Sequence, residues 1–149
     1  MKMLSFSVDI SATAQKVSST MLGTGTYEQW TAVFNPGSSF EGSWNKGERI
    51  YFVGEKDGKK EGMIAEIAEH IPNRLVSIRH IGILDGEREV LEGPEVEGWA
   101  GALENYTFNE EKGITTVIVN VDTKEEYVEY FNETWPRALN KLKEIIEKP

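Results

Sequence analysis

Residues 123–147, TKEEYVEYFNETWPRALNKLKEIIE, decide the fold. Tyr127, Phe131, Trp135, Leu139, Leu142 and Ile146 recur at helical spacing, so one side of a long helix is apolar and bulky. Thr123 with Glu126 reads as a capping box, the hydroxyl taking an orphan amide and the carboxylate reaching back. Pro136 sits within the stripe. It lacks an amide donor and crowds the preceding turn, so a kink is expected there. A stripe this broad needs a broad partner surface.

The residues before it supply that surface. Met3, Phe6, Val8 and Ile10 suggest an opening strand. Ser11 or Thr13 is placed to cap a short helix running to about Leu22. Gly23 and Gly25 then break the chain, and a second short helix is expected from Thr26 to about Val33. It ends near the turn cluster Asn35-Pro36-Gly37. From Phe40 onward strands dominate: Phe40–Trp44, Arg49–Val53, Gly62–His70, Leu75–Ile81, Tyr106–Phe108 and Thr115–Val121. Asp57-Gly58 marks one hairpin, and the segment 109–113 another. Between Gly82 and Gly101 lies a Gly- and Glu-rich stretch. In it Asp85-Gly86 reads as a hairpin tip, and Pro94 opens a short turn of helix ending near Trp99. Such a long connection is expected to act as a lid or binding loop. Strand, two short helices, six or seven antiparallel strands and a long helix make an α+β domain, with a curved sheet wrapped around the helix.

Composition narrows the function. The 149 residues suit one domain. The net charge of −9, with basic residues interleaved among acids, argues against nucleic acid. No apolar run reaches the roughly 20 residues of a membrane span. The opening residues do not read as a signal peptide. The absence of cysteine removes disulfides and thiolate metal sites and fits a cytoplasmic setting. Glu87, Glu89, Glu92, Glu95 and Glu97 lack the regular oxygen-ligand spacing of a calcium loop. Gly23–Thr26 has no following Lys and is not a phosphate loop. The residues call for no metal and no cofactor.

Several of these residues resemble a known family. Ile10-Ser11-Ala12 with Val17, Tyr27-Glu28-Gln29-Trp30, Trp44-Asn45-Lys46-Gly47 before Ile50-Tyr51-Phe52, Pro72-Asn73-Arg74-Leu75, and Trp135 with Leu139 and Leu142 follow in order along the chain. Together they resemble the START-like (SRPBCC, Bet v allergen-like) superfamily. Within it they are most similar to the family named after the activator of the heat-shock-protein-ninety ATPase. The resemblance implies a helix-grip fold and a scaffold that binds small apolar or lipid-like molecules. It also implies two other possibilities, a cyclase- or dehydratase-like enzyme and a chaperone interaction, in a monomer or a homodimer.

On that resemblance the pocket candidates are Trp30, Phe34, Trp44, His80, Trp99, Tyr106, Phe131 and Trp135. Aromatic walls suit an apolar ligand, and an indole N–H or a phenol orients it. Strand parity lets only one of Tyr51 and Phe52 face inward. His80 shares its parity with Val76 and Ile78, so it is the histidine expected to point inside. His70, next to the Pro72 turn, is expected outside, with Glu66 and Arg79 on a solvated sheet face. No catalytic constellation is legible.

Overall fold

A computed structural model of the chain describes residues 1–148. Strand β1 (Lys2–Ile10) leads to helices α1 (Ala14–Leu22) and α2 (Thr24–Thr31). Strands β2 (Ser39–Gly42), β3 (Arg49–Lys56), β4 (Lys59–Ile71), β5 (Leu75–Asp85), β6 (Arg88–Val90), β7 (Leu103–Glu111) and β8 (Ile114–Thr123) follow, and helix α3 (Val128–Glu147) closes the chain. The antiparallel sheet runs β1-β8-β7-β5-β4-β3-β2, with the three-residue β6 paired to β5 outside this path. The architecture is α+β and helix-grip-like, as expected. β6 adds an eighth strand, because the Asp85-Gly86 turn folds the chain straight back onto β5.

Register explains the inner face. Leu4 pairs with Val121, Phe6 with Val119 and Val8 with Val117 across β1 and β8. Glu104, Tyr106 and Phe108 of β7 meet the same three valines from the other side. Ile78 and Val76 of β5 continue the rows. Side chains at every second position share a face, so one layer holds Leu4, Val121, Glu104 and Ile78. In β1 this parity sends Leu4 inward and leaves Met3 66% exposed.

The helix starts later than its sequence suggests. Thr123 is the last residue of β8, paired with Lys2 and buried. Residues Glu125–Tyr127 form a 3₁₀ turn, and α3 begins at Val128 with no side-chain cap. The capping box is therefore absent. Strand pairing and burial hold Thr123 in extended backbone, and a local cap cannot outweigh them. Helix α3 runs through Pro136, which is exposed, as a single element.

The short helices differ from expectation by a residue or two. Thr13 is the N-cap of α1, accepting from the Lys16 N–H at 3.2 Å. Gly23 ends α1, whereas Gly25 lies inside α2. The last carbonyls of a helix lack internal partners, and here two indoles supply donors. Trp30 Nε1–H donates to Met21 O at 2.9 Å, and Trp44 Nε1–H donates to Leu22 O at 3.1 Å.

Helix α3 packs against β1 and against α1 and α2. Trp135, Ala138, Leu139 and Leu142 are buried, while Phe131 is half-buried and Tyr127 and Tyr130 are exposed. The C-terminal half of the stripe therefore fills the core. The N-terminal half overhangs the sheet. Among the described residues no helix is long and apolar enough to cross a membrane.

Candidate functional site

Under that overhang lies a pocket of about 630 Å³. Such a volume lies within the roughly 300–1,000 Å³ range of small-molecule sites. Tyr27, Trp30 and Thr31 of α2 form one wall, and Tyr130, Phe131 and Trp135 of α3 another. The floor is the sheet: Phe52 and Val53 from β3, Gly62 and Met63 from β4, His80, Ile83 and Leu84 from β5, and Glu104 and Tyr106 from β7. Trp99 and Glu95 border it from the connection after β6.

Of the pocket candidates, Trp30, Phe34, His80, Trp99, Tyr106, Phe131 and Trp135 all border this space. Trp135 is the hub. Its ring lies 5.0 Å from that of Phe34, 6.0 Å from Trp30 and 6.2 Å from Tyr106. Trp44 lies elsewhere. Its ring packs on Phe40 and Phe52 while its N–H is held by Leu22 O, which turns the side chain toward α1 and away from the pocket. Phe52 faces inward. Tyr51 faces out, where its hydroxyl donates to Glu89 at 2.9 Å. His70 is half-buried rather than exposed, with Nδ1 2.8 Å from Trp44 O. Arg79 is exposed and pairs across the strands with Glu66.

The polar part of the pocket is a short chain of hydrogen bonds. His80 Nε2–H donates to Glu104 Oε1 at 3.1 Å, and the Tyr106 hydroxyl donates to Glu104 Oε2. In a neutral imidazole this bond places the proton on Nε2. Nδ1 is then a buried acceptor without a protein partner, and Trp135 Nε1–H is a buried donor in the same position. Each such orphan costs about 1–3 kcal/mol. Burial, and next the charge of Glu104, push the Tyr27 hydroxyl far above the ordinary phenol range. The same two causes, in the same order, raise Tyr106. Both phenols therefore stay protonated as donors beside one carboxylate. A cavity with aromatic walls and one acceptor-rich corner can hold a mostly apolar molecule in a single orientation.

Glu104 and Tyr27 are two polar pocket residues that were not among the candidates read from the sequence. The signal for Glu104 was parity, because it alternates with Tyr106 and Phe108 and so faces the core. The strand was expected to begin only at Tyr106. The signal for Tyr27 was helical spacing, because Tyr27, Trp30 and Thr31 make the buried side of α2.

The connection after β6 is fastened to β5 at His80. The His80 N–H donates to Ala102 O at 2.9 Å, and the Gly101 N–H donates to His80 O at 2.8 Å. Bonds from the Glu97 N–H to Gly93 O and from the Ala100 N–H to Val96 O wind residues 93–100 into consecutive turns. They do not extend into the short helix expected after Pro94, since Gly98 and Gly101 adopt positive φ.

No protein-family model matches the sequence, and no curated protein matches it. Solved structures do resemble it. The dimeric Aha1 of Colwellia psychrerythraea superimposes with a TM-score of 0.74 at 19% identity, over 99% of this chain and 98% of that one. Protein MLL2253 of Mesorhizobium loti gives 0.74 at 13% identity, over 99% and 98%. CalU16 of Micromonospora echinospora gives 0.66 at 16% identity, over 97% of this chain and 74% of that one. At such identities the likeness is one of fold. The chain shares with these structures a helix-grip-like fold, an antiparallel sheet with a long C-terminal helix.

Proposed function

We propose that the chain is a small-molecule-binding protein, and that an apolar or lipid-like ligand occupies the pocket between the sheet and α3. One observation carries this reading: the aromatic groups at the start of α3, half-buried Phe131 and exposed Tyr130, with Tyr127 just before the helix, border about 630 Å³ of space. A helix with no ligand to cover would gain more by closing onto the sheet. The absence of cysteine fits a protein working in the cytoplasm. The Colwellia neighbour is a dimer, which supports a homodimer here. The test is native mass spectrometry of freshly purified protein, joined to titration with N-phenyl-naphthylamine, a neutral fluorophore that brightens in apolar sites. Saturable brightening that Phe131→Asp abolishes is the expected result. Brightening unaffected by Phe131→Asp, or none at all, would rule out the pocket as the binding site.

The hydrogen-bonded set His80, Glu104 and Tyr106 favours a second reading, a cyclase- or dehydratase-like enzyme in the same pocket. A carboxylate paired with an imidazole can move a proton on an oriented substrate. In that case His80→Ala and Glu104→Gln would each stop turnover with the ligand still bound. Turnover at the wild-type rate in both would remove the set from the chemistry.

A further inference from the structure

The pocket's charge says more about its occupant. Among the described residues its lining carries five carboxylates, Glu61, Asp85, Glu95, Glu104 and Asp122, against one amine, Lys124. Three of the five are engaged at the edge. Asp85 pairs with Lys59 and Arg88, Glu95 lies 3.6 Å from Arg88, and Asp122 accepts from the Leu103 N–H at 3.0 Å. Glu104 differs. Its side chain is only 14% exposed, and its two partners are a phenol and an imidazole. Neither Lys nor Arg reaches it. Its strand neighbours across β5 and β8 are Ile78 and Val121.

A carboxylate held out of water gains most from a cationic partner. An ammonium or iminium group would give Glu104 the permanently charged partner that no Lys or Arg among the described residues supplies. Its N–H would also be the kind of donor that His80 Nδ1 is missing. The walls suit the same charge, since the faces of Trp30 and Tyr27 attract cations. A bare metal ion is a poorer fit, because no three His, Asp or Glu side chains among the described residues converge on one point. A carboxylate or phosphate ligand would meet Glu104 with like charge.

We propose that the pocket selects a lipophilic amine, its apolar body against the aromatic walls and its cationic nitrogen against Glu104. This inference rests on the binding function proposed above and adds the charge of the ligand to it. It predicts a ranking that the pocket alone does not.

The experiment compares decylammonium, decanol and decanoate, three chains of one length, as competitors for N-phenyl-naphthylamine at neutral pH. The expected order is ammonium tightest by about tenfold over the alcohol, with the carboxylate weakest. Glu104→Gln keeps the shape and removes the charge, exchanging one of the two acceptor oxygens for an N–H donor that the Tyr106 hydroxyl can accept, and it should bring ammonium and alcohol within about twofold of each other. Equal binding of all three by the wild type, or a preference for decanoate, would overturn the charge assignment while leaving the pocket intact. A fluorophore that binds nowhere would instead overturn the binding function, and this inference with it.

Discussion

The imidazole of His80 lies against the indole of Trp99, with ring centroids 5.6 Å apart and planes inclined by 26°. One ring belongs to a central strand, the other to the connection after β6. Backbone bonds at Gly101 and Ala102 fasten that connection to His80 itself. The stack therefore sets both the height of the loop above the sheet and the orientation of the imidazole toward Glu104.

Trp99→Ala should accordingly loosen the loop without unfolding the domain. Loss of one stacked pair costs about 0.5–1.5 kcal/mol beyond lost area. Hydrogen exchange at the amides of residues 96–102 should accelerate markedly, while amides in β7 and β8 stay protected. Uniform acceleration through the sheet would show instead that the stack supports the whole core.

The two halves of the α3 stripe should respond differently to truncation. Leu142 is fully buried among core residues, so Leu142→Ala should cost about 2–5 kcal/mol. Phe131 is half-buried at the pocket. Phe131→Ala should cost much less stability and weaken apolar-probe binding. Urea denaturation of both variants beside probe titration separates the two effects.

Stability should fall at alkaline pH through two phenols. Tyr27 and Tyr106 have raised values in the folded protein, against about 10 when unfolded. Below pH ~10 both states hold these protons and the contribution is intact. Above it the unfolded chain releases them first, so it binds fewer protons than the native state and stability declines as pH rises. Denaturation midpoints should drop above pH ~10, and Tyr27→Phe should flatten that drop. A wild-type midpoint that stays level to pH ~11 would contradict the burial of both hydroxyls.

Gly62 is expected to tolerate no side chain. It lies in β4 opposite Val53, and a Cβ there would strike the Phe52 carbonyl oxygen. Gly62→Ala should force β3 and β4 apart beside the pocket, at a cost of about 1–3 kcal/mol. Gly58, in the neighbouring hairpin turn, has open space around it but a φ of +76°. Gly58→Ala should cost no more than about 1–2 kcal/mol, from backbone strain alone. Parallel thermal melts would check the difference.

The sequence by itself determined most of the inventory of elements, though not β6 or the turns that stand where a helix was expected after Pro94. Alternation in β5 puts Val76, Ile78 and His80 on one face, and Asp57-Gly58 and Asp85-Gly86 make hairpins wherever they stand. The 3.6-residue period from Phe131 to Leu142 makes a helix with one apolar side. These are short-range consequences of backbone sterics and side-chain period. Tertiary structure decided the rest, because the competing forces there act between residues far apart in the chain. Pairing with Lys2 kept Thr123 in a strand where local chemistry favoured a cap. The Leu22 carbonyl drew Trp44 away from the pocket. The register of β7 between β5 and β8 carried Glu104 inward to meet His80 and Tyr106. An acid in an exposed strand and an acid at the floor of a pocket look the same in sequence, and only the strands on either side settle which one it is.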